Sequence, residues 1–407
     1  MQKKLIALAV AGLSTAAFAQ TNVTIYGVAD VSGQGYNMTS GKSLAGTAAN
    51  TNGVQMSGGS FNLTNNSSLI GFKGTEDLGN GLKGMFQIET NVNLTGGSSV
   101  AVGSQGTTFG SMRDSYVGLG SKYGTVMGGF LSTPYRSALN SFDVMPGATG
   151  SGRIENIMGK VRLNTTNLGG AVNTGYLQAD SSVRATALAY ALPTMYGING
   201  SIAYTGNAQN GNGNMGTLTV PTTSGANAAV ESGIAANLGW EGYGFGIKGA
   251  YQQAKVNYAQ SAANNFQGYT SYLVGAQYTG VPGLKAAVVY GRNSLGTNAT
   301  GTQGAQKASN NQIYAGVSYR FGNNEPRLSY VNSGNTSGLN NVGQDGGNQW
   351  TANWGYYLSK RTQVYGLVSA VNNNANGVWN VAGSGSNLAP TGGQAILTYG
   401  AGMRTNF

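Results

Sequence analysis

Apolar and polar residues alternate with a period of two in short segments along nearly the whole chain, the pattern of strands with one greasy and one wet face. From 82 to 94, Leu82, Phe86, Ile88, Val92 and Leu94 share one parity and Lys83, Gln87, Glu89, Asn91 and Asn93 the other. In 231–241, Ile234, Ala236, Leu238 and Trp240 oppose Glu231, Asn237 and Glu241, and in 245–253 Ile247 and Tyr251 oppose Lys248 and Gln252. Sixteen such segments can be counted, at 22–35, 67–77, 82–94, 111–122, 124–130, 183–192, 197–206, 231–241, 244–258, 269–279, 284–293, 312–321, 326–334, 348–358, 362–372 and 394–407. No extended helical-period stretch interrupts them. Short turns, such as Gly79-Asn80-Gly81, Gly242-Tyr243 and Lys360-Arg361, alternate with long loops rich in Gly, Ser, Thr and Asn. An even strand number with alternating connection lengths predicts an all-β fold, a 16-stranded antiparallel transmembrane β-barrel with short turns on the periplasmic side and long loops outside.

Composition decides which face meets water. Charged residues are 8% of the 407, against about 25% in ordinary soluble domains, so even the wet faces carry mainly Gln, Asn, Ser, Thr and Gly. That scarcity on both faces favours lipid outside the barrel, where a mid-bilayer Lys or Arg costs about 2–4 kcal/mol. Mid-strand charges accordingly fall on the polar parity: Asp30, Lys73, Lys83, Glu89, Lys248, Lys285, Arg320 and Arg404. Arg113, Arg184 and Arg292 share the apolar parity near expected loop ends. Tyr243, Tyr278, Tyr290, Trp350 and Tyr356 sit at segment ends as interface girdles do. Closure pairs the last strand with the first, because an open edge in lipid leaves backbone groups unsatisfied.

The first nineteen residues read as an export signal: Lys3 and Lys4, an apolar run from Leu5 to Leu13, and Ala17-Phe18-Ala19 as a cleavage site before Gln20. The apolar run is about half the ~20 residues of a membrane-spanning helix. Loss of Lys3 and Lys4 takes the formal charge from +10 to +8. The mature chain is then residues 20–407, one barrel domain. Cysteine and histidine are both absent, which excludes disulfides, thiol chemistry, imidazole acid–base catalysis and His/Cys metal sites. With no recognisable nucleophile and base either, no enzymatic activity, cofactor or metal is expected. The basic residues do not cluster with stacking aromatics, so nucleic acid is not an expected partner.

Particular stretches carry a resemblance. They are Val23-Thr24-Ile25-Tyr26-Gly27-Val28-Ala29-Asp30, then Ile70-Gly71-Phe72-Lys73-Gly74-Thr75-Glu76-Asp77-Leu78-Gly79-Asn80-Gly81-Leu82-Lys83, and Phe86-Gln87-Ile88-Glu89. Arg113-Asp114-Ser115-Tyr116-Val117-Gly118-Leu119, Tyr123-Gly124-Thr125-Val126 and the ending Gly402-Met403-Arg404 to Phe407 extend them across the chain. With these the sequence resembles the trimeric general porins of Gram-negative outer membranes, in their betaproteobacterial or neisserial branch. The resemblance implies a homotrimer in outer-membrane lipid, a third extracellular loop folded into the pore, and Phe407 as the signal read by the barrel-assembly machinery. Segment 131–182 looks like that loop, far longer than the roughly 4–6 residues of a typical connection. It holds Arg136, Arg153, Lys160 and Arg162 against Asp143, Glu155 and Asp180. Two departures stand out: Gly129-Phe130 where the family commonly has Gly-Arg, and Tyr190-Ala191-Leu192-Pro193 where it has Tyr-x-Ser-Pro.

The polar parity offers Lys73, Lys83, Lys248, Lys285, Arg320, Arg327 and Arg404 against Asp30, Glu89, Glu231 and Glu241. A basic excess in a narrow passage concentrates anions. The expectation is a channel for passive permeation of ions and small hydrophilic solutes that prefers anions. Its selectivity residues are expected to be Lys73, Lys83 and Arg113 on the wall, facing Arg136, Asp143 and Glu155 of the loop, together with Arg404. A substrate-specific outer-membrane channel, or a structural or adhesive barrel with a plugged lumen, are the alternatives the sequence leaves open.

Overall fold

The computed structural model describes residues 22–38, 60–95, 109–145, 150–164, 176–206, 217–219, 230–259, 265–298, 306–338, 343–381 and 392–407. The expected export segment with Ala19 and Gln20, and most of the long outer loops, lie outside the described residues.

Sixteen antiparallel staves make one closed sheet. They are β1 (Asn22–Met38), β2 (Ser60–Asn65 continued by Leu69–Gly79), β3 (Leu82–Val92), β4 (Phe109–Met112 continued by Ser115–Ser121), β5 (Gly124–Ser132), β6 (Arg184–Ala191), β7 (Ile198–Thr205) and β8 (Val230–Gly242). There follow β9 (Phe245–Ala259), β10 (Asn265–Tyr278), β11 (Leu284–Asn298), β12 (Gln306–Tyr319), β13 (Asn324–Ser333), β14 (Gly347–Tyr357), β15 (Thr362–Asn373) and β16 (Ala395–Asn406). Each pairs with its chain neighbour, and β16 returns to β1 with Val28 opposite Asn406 and Met38 opposite Ile396. Phe407 completes the seam: its N–H and C=O exchange bonds of 3.1 and 3.0 Å with Gly27. A side chain at position 27 would collide with the Phe407 ring and the Leu69 carbonyl, so the close approach requires glycine there.

The two broken staves are stitched locally. Between the halves of β2, Asn66 N–H donates to Asp30 O (2.9 Å) and Ser68 Oγ accepts from Asp30 N–H (2.9 Å). Ser67 there takes the left-handed φ of 60°.

Exposure sorts the faces as the alternation predicts. Val23, Ile25, Ile88, Val117, Leu188, Leu238, Ile247, Val288, Val368 and Leu397 stand exposed on one side of their strands. The opposite parity is buried and polar: Asp30, Ser32, Gln34, Gln252, Ser271, Gln312, Gln349, Thr351 and Ser369. A soluble sheet would bury the apolar set; this one presents it outward, as a lipid-facing surface does. Among the described residues no helix is long and apolar enough to cross a membrane, so the strands make the crossing.

The chain departs from an uninterrupted strand pattern in segment 131–182. A nine-residue helix, α1 (Pro134–Phe142), starts from Thr133, whose Oγ1 accepts from Arg136 N–H (3.2 Å), with Pro134 in the first turn. Its buried Tyr135, Ala138, Leu139 and Phe142 recur at one-face helical spacing. One such stretch is too short to register as a helical period against so many strands. Lys160–Asn164, Tyr176–Asp180 and Thr217–Thr219 pair as a separate three-stranded sheet, also unforeseen.

Candidate functional site

The described residues of segment 131–182 lie against strand residues of the buried parity, not the exposed apolar one. Apolar contact supplies much of the hold. Tyr135, Leu139, Phe142, Ile154, Ile157 and Met158 share one buried cluster with Ala250, Leu273, Val289, Tyr314, Val331 and Val371 of β9–β15. Polar contacts set the register. Asn237 Nδ2 of β8 donates to Pro134 O (2.8 Å), and Gln312 Nε2 of β12 donates to Ile157 O (3.0 Å) and Lys160 O (2.8 Å). At the far end Ser151 Oγ donates to Gln34 of β1 (2.7 Å), while Gln349 and Ser369 of β14 and β15 donate to Ser151 O. The segment thus touches opposite parts of the wall.

Glu155 is the electrostatic hub. Its carboxylate accepts from Asn140 Nδ2 (2.8 Å) and Ser182 Oγ (2.7 Å), with Arg136 at 2.8 Å and Arg153 at 3.7 Å. Burial alone would raise its pKa, but the two guanidiniums and these hydrogen bonds outweigh it and hold the carboxyl at about 2. Arg136 also donates to Ser182 O (2.7 Å), tying the start of α1 to the end of the segment. Asp143 at the end of α1 accepts from Met145 N–H (3.0 Å) and Ile154 N–H (3.1 Å). Withdrawal of its carboxyl from water is the larger influence there and pushes it up to about 6.

The expected selectivity residues fall into three places. Lys73 of β2 stands over the Tyr26 ring at 5.2 Å; Tyr26 donates to Glu89 (3.1 Å), and Glu89 pairs with Arg113, which also donates to Asn91 (3.1 Å). Arg113 and Arg136 both lie close enough to Arg184 to repel it, and Arg184 is held by Asp114 at 2.9 Å. Lys83 stands apart, beside the short turn at Gly81, opposite Gly120 of β4. Arg404 of β16 belongs to a third region, paired with the fully buried Asp30 at 3.4 Å.

That third region is a polar cavity of about 560 Å³. Lys285, Arg320, Arg327, Arg361 and Arg404 line it, against Asp143 and Glu325. Lys285 donates to Ser141 O (2.9 Å) and Asp143 O (2.7 Å), so β11 caps the C-terminus of α1 with a cation. Sequence parity had marked Lys285, Arg320 and Arg327 as inward without indicating that they converge. The only sequence signal for Arg184 and Arg361 was their basic character at strand ends.

A closed sheet with an apolar outer face, a polar inner wall and charged groups gathered along that wall defines the class: an outer-membrane channel-forming β-barrel. Residues 5–376 match the model of the Gram-negative porin family, and the chain belongs to that family. The major outer membrane protein P.IA of Neisseria meningitidis serogroup C is 27% identical over 392 residues, covering 89% of this chain and 92% of that protein. Major outer membrane protein P.IB of Neisseria gonorrhoeae is 27% identical over 378 residues, 91% of this chain and 93% of that protein. Among solved structures, the anion-selective porin from Comamonas acidovorans superposes with a TM-score of 0.67 at 21% identity, over 95% of this chain and all of that one. OmpT of Vibrio cholerae in a trimer form superposes with a TM-score of 0.60 at 10% identity, over 95% and 99%.

Proposed function

We propose that the chain is a general diffusion porin in which segment 131–182 folds into the lumen as the constriction, and that it passes small hydrophilic solutes with a preference for anions. The carrying observation is the cation surplus of the lower cavity, where five cations stand against Asp143, Glu325 and the Asp30 behind Arg404, whereas Arg113, Arg136 and Arg184 each have a carboxylate partner. In a confined, poorly screened passage such a surplus raises the local anion concentration. The Comamonas relative, which is anion-selective, supports the same sign. The trimer form of OmpT supports a homotrimer here. Phe407, hydrogen-bonded to Gly27 at the seam, is the residue we assign to recognition by the barrel-assembly machinery.

The test is reconstitution of the folded protein in a planar bilayer across a KCl gradient. The zero-current potential should carry the anion sign, more strongly in dilute salt, where screening is weakest. A cation sign would overturn the charge argument and leave the channel.

The preference should also depend on pH. With its pKa raised to about 6, Asp143 gains a proton as pH falls from 7.5 to 5, removing one negative charge beside Lys285, Arg320 and Arg327, while Glu155, held at about 2, stays ionised. Anion preference should therefore increase over that window, and Asp143→Asn should abolish the increment. The linked stability runs the same way. A raised carboxyl pKa means the folded state binds the proton more tightly, so this contribution is complete below the ordinary carboxylate range and is lost as pH rises through about 6.

A further inference from the structure

The lower cavity contains more than a diffuse positive field. Its lining includes Thr279 and Gly283 of one short turn, Arg361 of another, and Asn406 at the end of β16, so it lies at the short-turn end of the barrel, apart from the Arg113, Arg136 and Arg184 group. Two of its arginines are already committed. Arg327 is 4% exposed and is held by Glu325 at 2.5 Å and by Asn353 at 2.6 Å, and Arg404 pairs with Asp30. Arg320 and Arg361 form no salt bridge to a carboxylate among the described residues, and both are exposed to the cavity water. Lys285 uses its ammonium on two carbonyls and forms no salt bridge to a carboxylate among the described residues; Asp143 and Glu325 act on its charge only across the cavity. Counting Asp30 behind Arg404, five cations face three carboxylates.

One of the free arginines is prearranged. The Arg320 guanidinium lies 3.8 Å from the centroid of the Tyr357 ring. That ring is anchored through its hydroxyl, which donates to Glu325 at 2.6 Å, and Glu325 is itself fixed by Arg327. A guanidinium stacked on a fixed ring keeps its plane while its edge N–H groups stay open, the geometry that receives a carboxylate or phosphate as a two-pronged partner. Less side-chain freedom remains to be lost on binding.

Building on the porin reading above, we propose that this vestibule is a binding subsite for multiply charged oxyanions, solutes carrying two or more carboxylate or phosphate groups, with Arg320 and Arg361 as the receiving pair and Lys285 supplying further field. A chloride ion or a single carboxylate engages one of these cations at a time. An anion with several charged groups engages two or three across the cavity, whose volume of about 560 Å³ admits a small organic anion with its water. The placement at one end makes the subsite directional: anions entering from the short-turn side meet it before the Arg113, Arg136 and Arg184 group, and those from the other side after it.

The experiment measures block of KCl current through single reconstituted channels of the full folded protein by propane-1,2,3-tricarboxylate and by pyrophosphate, each added to either compartment in turn, with acetate as the singly charged control. Both polyanions should reduce the current at lower concentration from one compartment than from the other, and acetate should not. The double variant Arg320→Gln/Arg361→Gln should raise the half-blocking concentration about tenfold, as expected for loss of charge-assisted hydrogen bonds, and should remove the asymmetry between compartments. Lys122→Gln, an equal charge change at the exposed short turn beside Tyr123 and outside the cavity, should leave block unchanged. Block by only one of the two polyanions assigns the subsite to that oxyanion chemistry. Unaltered block in the double variant, or equal block from both compartments in the wild type, overturns the subsite while the KCl current steps keep the porin reading intact. Absence of KCl steps from folded barrels overturns both.

Discussion

Glu155→Gln should loosen the internal fold of segment 131–182 while leaving the barrel closed. The carboxylate is the only negative group that Arg136 and Arg153 are paired with among the described residues, and its side chain is 8% exposed. Replacing one member of a buried ion pair leaves the other charges without compensation, an effect of about 3–5 kcal/mol. Glutamine retains an acceptor for Asn140 or Ser182 but no charge for the two guanidiniums. The loss concentrates on the segment because Arg136 links the first turn of α1 to Ser182, so both ends of the excursion depend on the same hub. The expected result is increased open-channel noise, variable conductance and faster proteolysis within 131–182, with strand content by circular dichroism unchanged. Quiet channels and unaltered proteolysis would show that the apolar contacts of Leu139, Phe142, Ile157 and Met158 hold the segment without the hub.

Lys285→Glu is expected to have the second large effect, because it acts on docking and on the field together. The native ammonium donates to Ser141 O and Asp143 O, where the C-terminal carbonyls of α1 concentrate partial negative charge. A carboxylate in its place loses both charge-assisted bonds, about 3 kcal/mol, and faces the Asp143 carboxyl across the same cavity. The net charge lining the cavity changes by two. The zero-current potential should shift markedly toward cations, and the end of α1 should become accessible to protease. Lys285→Arg, which keeps the charge and the donors, should retain the anion sign. Equal behaviour of the two variants would dissociate the selectivity from charge at this position.

Much of the barrel was legible in the chain before any tertiary contact. Ile247 and Tyr251 are exposed while Gln252 is buried, and Ile234 and Leu238 are exposed while Ala235 is buried, as their parity requires. The closure of the last strand on the first follows from the same logic and is found between Val28 and Asn406. The candidate site was legible only as a collection of charges. Parity placed Lys73, Lys285 and Arg404 on the inner face, but it did not separate Lys73 beside Tyr26 and Glu89 from Lys285 beneath α1 or Arg404 beside Asp30. Arg184, read as an apolar-parity residue near a loop end, proves to stand with Arg113 and Arg136, because chain geometry at a strand end is not bound by alternation.

The sequence by itself determined the strands, their count and the face each turns to lipid. These depend on a period of two imposed by the extended backbone, and every strand displays it locally. Only the tertiary structure decided which inner residues meet segment 131–182. Leu273, Val289 and Tyr314 share the inward parity with Ser271, Asn293 and Gln312, and no local pattern marks them as the apolar landing for Phe142 and Met158. Gln312 and Ile157 are 155 positions apart, and Lys285 and Ser141 are 144. Such partners become neighbours because the sheet curves through a full circle and presents distant strands to the same enclosed space.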